Sequence, residues 1–364
     1  MAPRPTARYQ LMALLVAGVL AACGAPAASS TSPTTPVPTA APPMSAEADE
    51  PPASPSSTAD ATVFTAEFDL GGGPDLPTAA FESMWILAAD GPLMDGSPPM
   101  LHRLDPATGR VIASIELSGR QCQGIGASED AMWACAEDEL VRVDPATNEI
   151  TARVPIDAPL GVSQLPFGDG TMWAFTTSGV GPDTVVRVDP SSATVVAEIP
   201  LGMVAGTMAY GHDALWVTSP TEDVLLRIDP ATNTVERWAE EIEGAGLVRL
   251  GADGVWVSLH GEHAADQIEP SDPTLVKVDP ATGDVVVEAA TGGSLGVDGG
   301  FSVTDDAVWV RAPEPFLAVV DAATGEVIRT IEQSGGGGDV AVALGSVWLT
   351  SHDRGTVWTL DPAP

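Results

Sequence analysis

The stretch "ALWVTSPTEDVLLRIDPATNTV" (residues 214–235) contains the pattern that decides the fold. It has an apolar segment around a tryptophan, a polar turn, an alternating segment that ends in aspartate, the turn "DPATN" and the start of another segment. Alternation of apolar and polar residues is typical of half-buried β-strands, and Asp-Pro followed by Asn or Gly is typical of a tight turn. The stretch therefore predicts successive antiparallel strands.

Near-copies of this stretch recur along most of the chain. The tryptophan and the aspartate alternate strictly, with seven of each. The interval from each Asp to the next Trp is 27 to 30 residues, whereas the interval from each Trp to the next Asp ranges from 11 to 23. The constant interval indicates a fixed structural unit, and the variable interval locates the insertions. The positions are Trp85, Trp133, Trp173, Trp216, Trp256, Trp309 and Trp348, and Asp105, Asp144, Asp189, Asp229, Asp279, Asp321 and Asp361.

Each unit of about 40 residues has the size of one propeller blade with four strands. A Gly-rich approach and a turn of the form Gly-x-Asp-Ala precede the tryptophan. We name the strands a (before that turn), b (with the Trp), c (ending in the Asp) and d (after the Asp-Pro turn). The seven units predict an all-β, seven-bladed β-propeller.

The end of the chain tests this prediction, because the last unit stops at "VWTLDPAP" after strand c and lacks strand d. The alternating segment "TVFTAEF" (62–68) lies at the repeat spacing before Trp85. We therefore predict that 62–68 completes the last blade and closes the ring, which removes an exposed sheet edge.

The repeat, carried by "LWVTSPTEDVLLRIDPATNTV" and its copies over about 61–361, resembles the YVTN-type and virginiamycin B lyase-like propellers of secreted bacterial and archaeal proteins. That resemblance implies the propeller fold, but the superfamily includes lyases, lactonases and binding modules, so it implies no single function. The lyase relatives use His and Glu around the inner ring with magnesium. The inner segments "SQLPFG" (163–168) and "DVAVAL" (339–344) contain no His, so no catalytic residue is assigned.

The N-terminus predicts export. Two arginines precede the apolar run "LMALLVAGVLAA" (11–22), which is short for a membrane span and typical of a signal peptide. The sequence from Leu20 to Cys23 resembles the bacterial lipobox. The resemblance implies that 1–22 is a lipoprotein signal peptide and that Cys23 is lipidated and anchors the protein to the extracytoplasmic side of the cell membrane. The alternative is a plain signal peptide with an incidental cysteine.

Residues 23–60, which follow the signal peptide, are rich in Ala, Ser, Thr and Pro, and so predict a disordered tether before the propeller at 61–364. The formal net charge of −35 argues against nucleic acid and anionic lipid headgroups as partners. Membrane contact is therefore expected through the lipid anchor only.

The two cysteines of the exported part, Cys122 and Cys135, lie about equally far from a predicted hairpin turn at Ser128-Glu129. Facing positions on antiparallel strands meet the geometry of a disulfide, and disulfides form outside the cytoplasm. We therefore predict a Cys122–Cys135 disulfide.

The b–c and d–a loops share one face of a propeller, and the insertions fall there. The longest b–c insertion contains "HGEHAADQIEPSDP" (260–273), and the last one contains "SHDRG" (351–355). His-x-Glu-His is not the HExxH helix motif, so no metal site is assigned. Solvated loop residues and surface salt bridges are the alternative to a ligand site. The candidate ligand-binding residues are His260, Glu262, His263, Arg311, His352, Asp353 and Arg354.

The sequence favours a membrane-anchored, extracytoplasmic binding module without a cofactor, whose partner is an envelope protein, a glycan or a small ligand. The alternative is a lyase or lactonase that uses a divalent cation at the central channel. That alternative requires three or more His, Asp or Glu side chains to converge near the propeller axis, and the sequence alone leaves open whether the protein is an enzyme.

Overall fold

The computed structural model describes residues 63–89, 98–119, 121–178, 181–259, 272–293, 295, 299–312, 316–333 and 335–363. The predicted signal peptide, Cys23 and the tether lie outside the described residues, as do His260, Glu262 and His263. In the described ranges all regular structure is β-strand, and none of it is a helix that could cross a membrane.

Twenty-eight strands form seven four-stranded antiparallel sheets, so the predicted all-β, seven-bladed propeller is confirmed. From inner to outer strand, blade one has β2 (Gly73–Ala80), β3 (Ser83–Ala89), β4 (Pro99–Leu104) and β5 (Val111–Glu116), blade two has β6 (Gln121–Ala127), β7 (Met132–Ala136), β8 (Glu139–Asp144) and β9 (Glu149–Pro155), and blade three has β10 (Phe167–Gly168), β11 (Thr171–Thr176), β12 (Thr184–Asp189) and β13 (Thr194–Pro200).

Blade four has β14 (Met208–Gly211), β15 (Ala214–Ser219), β16 (Val224–Asp229) and β17 (Thr234–Ala239), and blade five has β18 (Ala245–Leu250), β19 (Val255–Leu259), β20 (Leu275–Val278) and β21 (Val285–Ala289). Blade six has β22 (Gly300–Val303), β23 (Ala307–Arg311), β24 (Leu317–Asp321) and β25 (Val327–Ile331), and blade seven has β26 (Val340–Ala343), β27 (Ser346–Ser351), β28 (Thr356–Leu360) and β1 (Phe64–Asp69).

The first strand closes the ring as predicted, with bounds one or two residues later than the sequence suggests. Strand β1 pairs antiparallel with β28, and Glu67 lies opposite Trp358. The Phe64 ring packs edge-on against Phe316 at 5.8 Å. The Phe68 ring stacks on Trp348 at 6.3 Å. The closing strand is therefore held by aromatic packing as well as by main-chain hydrogen bonds.

The two repeat residues have structural roles. Each repeat tryptophan is at most 1% exposed and packs between blades. In each repeat turn, which is Asp-Pro in six blades and Asp-Ala at Asp321, the aspartate Oδ1 accepts the main-chain N–H of the residue two positions later at 2.7 to 3.0 Å. This is the hydrogen bond by which aspartate stabilises a tight turn, which explains why it recurs in every blade.

Candidate functional site

Two cavities follow one another along the channel that the inner strands surround. The first, here called the mouth chamber, has a volume of about 200 Å³ and is lined by the N-terminal ends of inner strands and the loops beside them. The second, here called the turn-side chamber, has a volume of about 470 Å³ and is lined by later residues of inner strands. Arg249 lines both chambers.

Five polar side chains from blades one, two, five and seven line the mouth chamber, and we call them the mouth cluster: Asp75, Gln123, Arg249, Asp339 and His352. Gln123 Nε2 donates to Asp75 Oδ2 at 3.3 Å. Arg249 Nη2 lies 3.6 Å from Asp339 Oδ2. The cluster therefore contains both signs of charge, contributed by residues far apart in sequence.

β-Bulges place several of these side chains. The pairing of inner strands with strand b shifts register between Asp75 and Thr78, and again between Gln121 and Ile125. At the first bulge Leu76 has φ of 49°, and at the second Gln123 has φ of 45°. Such backbone conformations cost free energy for residues other than glycine and are common near binding sites, where bulges reorient side chains.

The position two residues after the repeat tryptophan anchors the inner strand beside the mouth. Thr218, Ser258 and Thr350 occupy it in blades four, five and seven. Their hydroxyl oxygens accept the main-chain N–H of Thr207 at 2.9 Å, Leu247 at 2.8 Å and Asp339 at 2.8 Å. These hydrogen bonds from strand b hold the start of the inner strand in three blades, and the one from Thr350 holds the mouth-cluster residue Asp339.

In blade two, Cys135 occupies that anchoring position. It forms a disulfide with Cys122 on the inner strand, so the predicted disulfide is confirmed. Because Gln123 follows Cys122 directly, the disulfide holds the bulge from which Gln123 reaches Asp75.

Asp339 is the most deeply buried carboxylate of the mouth cluster, with 5% of its surface exposed. Its Oδ1 accepts the main-chain N–H of Val340 at 2.7 Å. Burial raises the pKa of Asp339, although the charge of Arg249 and the Val340 hydrogen bond act in the opposite direction. A Cβ atom at Gly300 would lie 1.8 Å from Asp339 Oδ1, so the blade-six strand approaches the carboxylate this closely only with glycine there.

Of the residues predicted from sequence, Arg311 is fully buried and is not among the described residues that line the mouth chamber. Its guanidinium is 4.0 Å from the centre of the Phe316 ring and its Nη2 donates to the Gly336 carbonyl at 2.6 Å. Burial lowers the pKa of Arg311 to about 10. Asp353 Oδ2 accepts the N–H of Gly337 at 2.9 Å. Arg311 and Asp353 therefore hold the glycine-rich loop that ends at Asp339.

His352 lies in the mouth cluster, and its Nδ1 is 3.3 Å from Asp353 Oδ1. Arg354 is exposed. Among the described residues, no group of three or more His, Cys, Asp or Glu could hold a metal ion. The structure thus brings His352 together with four residues that the sequence did not single out.

The turn-side chamber has a different character. Most of the residues that line it are apolar in type, although polar and apolar atoms contribute similarly to its wall. Arg249 is the one charged residue among the described residues that line it. The Tyr210 ring stacks on Trp173 at 6.1 Å, and a Cβ atom at Gly168 would lie 1.9 Å from that ring. Its large apolar lining side chains are Ile125, Leu165, Phe167, Met208, Tyr210 and Leu250.

No protein-family model matches the chain, and no curated protein matches it. Among solved structures, the chain is similar to the computationally designed Ika8 protein, with 14% identity and a TM-score of 0.58 over 79% of this chain and 83% of that chain. It is also similar to the β-propeller domain of Cps50 (Swd1) from Myceliophteria thermophila, with 14% identity and a TM-score of 0.58 over 81% of this chain and 98% of that chain. At this identity the similarity concerns the fold alone and supports the β-propeller.

Proposed function

We propose that the protein is a membrane-anchored binding module of the cell envelope, on the extracytoplasmic side, and that a small ligand binds in its central channel. The observation that carries the proposal is the mouth cluster, in which five polar side chains from four blades line one cavity. Concave sites with a few converging polar groups are where proteins bind small ligands.

The energetics of the mouth cluster favour a binding role. A buried charged group costs free energy unless it is well paired, and the ion pair between Asp339 and Arg249 is long, at 3.6 Å. The strained backbone at Leu76 and Gln123 adds a further cost. Residues placed at such a cost around a cavity are suited to bind a ligand that supplies the missing partners.

The ligand test uses the purified full-length protein in thermal-shift and calorimetric titrations with divalent cations, peptidoglycan fragments, small carboxylates and small amines. Asp75→Asn and His352→Ala alter the mouth cluster. Asp213→Asn is the matched control, because Asp213 is exposed and lies in the a–b turn of blade four, where its φ of 57° suits asparagine.

A ligand that stabilises the wild type and the Asp213 variant, but not the two mouth variants, is the expected result. Binding that both mouth variants retain, or no binding in any ligand class, would overturn the proposed site. Tight binding of a divalent cation that both mouth variants abolish would replace the proposal with the metal-dependent lyase or lactonase.

Support for the anchor comes from the signal-like segment 1–22 and from Cys23 after it. Cell fractionation tests it. The wild type is expected in the membrane fraction, and Cys23→Ser is expected to move to the soluble fraction because it removes the acylated thiol. Equal membrane association of the two proteins would contradict the lipid anchor and leave the channel proposal untouched.

A further inference from the structure

We propose that the channel ligand is a carboxylate with a compact apolar body, which places its carboxylate on Arg249 and its apolar part in the turn-side chamber. This inference rests on the proposed function, because the same channel holds the ligand. It adds the chemical class of the ligand and the residue that recognises it.

Arg249 has unused hydrogen-bond donors, although the charges of Asp339 and Asp75 both act on it. Its Nη1 donates to the Val248 carbonyl at 3.0 Å, and its guanidinium lies 5.7 Å from the centre of the Phe301 ring. The 3.6 Å between Nη2 and Asp339 Oδ2 is longer than a charge-assisted hydrogen bond. Within the described part of the chain, a side chain with five N–H donors thus makes one hydrogen bond. Arginine is the residue best suited to bind a carboxylate through two parallel hydrogen bonds.

Asp339 is fixed too far away to supply those bonds. Its main-chain N–H is bound by Thr350, and its Oδ1 is bound by Val340 and packs against Gly300. These contacts hold the carboxylate at its distance from Arg249. A ligand carboxylate reaching Arg249 through the turn-side chamber would therefore complete the arginine's hydrogen bonds without having to displace Asp339.

The turn-side chamber fits the rest of such a ligand. Its volume of about 470 Å³ lies within the range of small-molecule sites. The partly exposed Phe167 and Leu250 offer apolar surface, and burying apolar ligand surface there contributes about 25 cal/mol per Å². No carboxylate is found among the described residues that line this chamber, so an ammonium group would enter it without a counter-ion.

The experiment compares three probes that differ only in the polar group: hydrocinnamate, its amide, and the amine with the same phenylpropyl body. Each is titrated calorimetrically into the full-length protein. Hydrocinnamate is expected to bind about tenfold or more tightly than the amide, since a charge-assisted pair with Arg249 is lost. The amine is expected to bind more weakly still.

Three variants and one control test the residues. Arg249→Gln removes the cation, and the double exchange Arg249→Gln with Asp339→Asn removes both charges, so that no buried carboxylate is left alone. Ala79→Phe fills the turn-side chamber from an exposed position in its wall. All three are expected to lose hydrocinnamate binding. Arg142→Gln is the control, because Arg142 pairs with Asp130 away from the channel at 2.7 Å.

The inference would be overturned if hydrocinnamate does not bind, if it binds no more tightly than its amide, or if the amine binds more tightly than hydrocinnamate. It would also be overturned if a folded Arg249→Gln variant or the folded double variant keeps the wild-type affinity for hydrocinnamate. If a ligand of another class then binds, and its binding depends on Asp75 or His352, the proposed function stands although this inference fails. If no ligand binds, both fail.

Discussion

Arg187 of blade three reaches the Asp-Pro turn of blade four, where its Nη1 donates to Asn233 Oδ1 at 2.8 Å and to the Pro230 carbonyl. The same guanidinium lies 4.4 Å from the centre of the Trp173 ring. One cation therefore links the tryptophan of one blade to the turn of the next. The contact recurs in blade one, where Arg103 donates to Asn148 Oδ1 at 3.1 Å.

We expect Arg187→Met to lower the free energy of unfolding by about 2 to 3 kcal/mol, because it removes hydrogen bonds to a buried cation while the apolar stem still covers Trp173. Arg227 occupies the same position in blade four, and its ion pair with the half-exposed Glu236 is 3.4 Å long. Arg227→Met should cost less than about 1 kcal/mol. Urea unfolding of the two variants measures the difference, and equal losses would show that the link between blades contributes nothing.

The fold could be predicted from the sequence because its determinants are local and repeated. The aspartate turns and the tryptophan strands can each be recognised within a few residues, and seven copies of the pair remove the ambiguity of any single copy. The closing strand could be predicted from the same spacing, because the last repeat lacks an outer strand.

The mouth cluster could not be predicted in this way, because its side chains meet only after the ring closes. Bulges at Asp75 and Gln123 break the alternation that tells which face a residue occupies. One signal was available: the position two residues after the repeat tryptophan, which holds Thr218 and Thr350, also holds Arg311. Comparing the copies at that position would have indicated a structural role for Arg311, which holds the glycine-rich loop before β26, and would have directed attention to Asp339 at the end of that loop.

The junction between blades seven and one gives a prediction about ring closure. Gly109, in the Asp-Pro turn of blade one, has φ of 68°, and a Cβ atom there would lie 2.0 Å from the Phe68 ring on the closing strand. Gly109→Ala should therefore be more destabilising than Gly170→Ala, since Gly170 has the same φ and no atom near its missing Cβ. Gly170→Ala should lower the free energy of unfolding by about 1 to 2 kcal/mol, because alanine is strained at this positive φ.

A double-mutant cycle separates the two contributions. Phe68→Ala removes the ring that Gly109→Ala would contact, so the double variant should be more stable than the sum of the single losses predicts. Thermal unfolding measures the loss of stability in each single variant and in the double variant. Strict additivity would mean that Phe68 does not pack on this turn.

The Cys122–Cys135 disulfide gives a prediction about local order. It closes a loop of 13 residues in sequence separation, so replacing both cysteines by serine should cost at most about 3 kcal/mol. Hydrogen exchange should accelerate most around Gln123, because the disulfide holds that bulge. Reductant should reproduce both effects in the wild type and change nothing in the double-serine variant. Uniform acceleration across all blades would instead indicate a global role.

The aspartates of the repeat turns predict how stability depends on pH. Hydrogen bonds from the Thr108 side chain and main chain lower the pKa of Asp105, those from Ser191 lower the pKa of Asp189, and those from Thr324 lower the pKa of Asp321. Because each pKa is lower in the folded state, the unfolded chain binds more protons at acid pH. These turns stabilise the fold fully above the unfolded pKa of about 3.9, and that contribution is lost as pH falls through the folded value.

Exchange of Asp105, Asp189 and Asp321 for asparagine keeps an acceptor oxygen in each turn but removes the titration. The triple variant should therefore lose less of its urea midpoint than the wild type when pH falls from about 6 to about 3. The control exchanges the exposed Asp213, Asp305 and Asp306 for asparagine, which changes the net charge equally. Only the turn variant alters the repeat aspartates that accept these hydrogen bonds. If the control flattens the pH dependence as much, general charge repulsion rather than these hydrogen bonds determines the acid sensitivity.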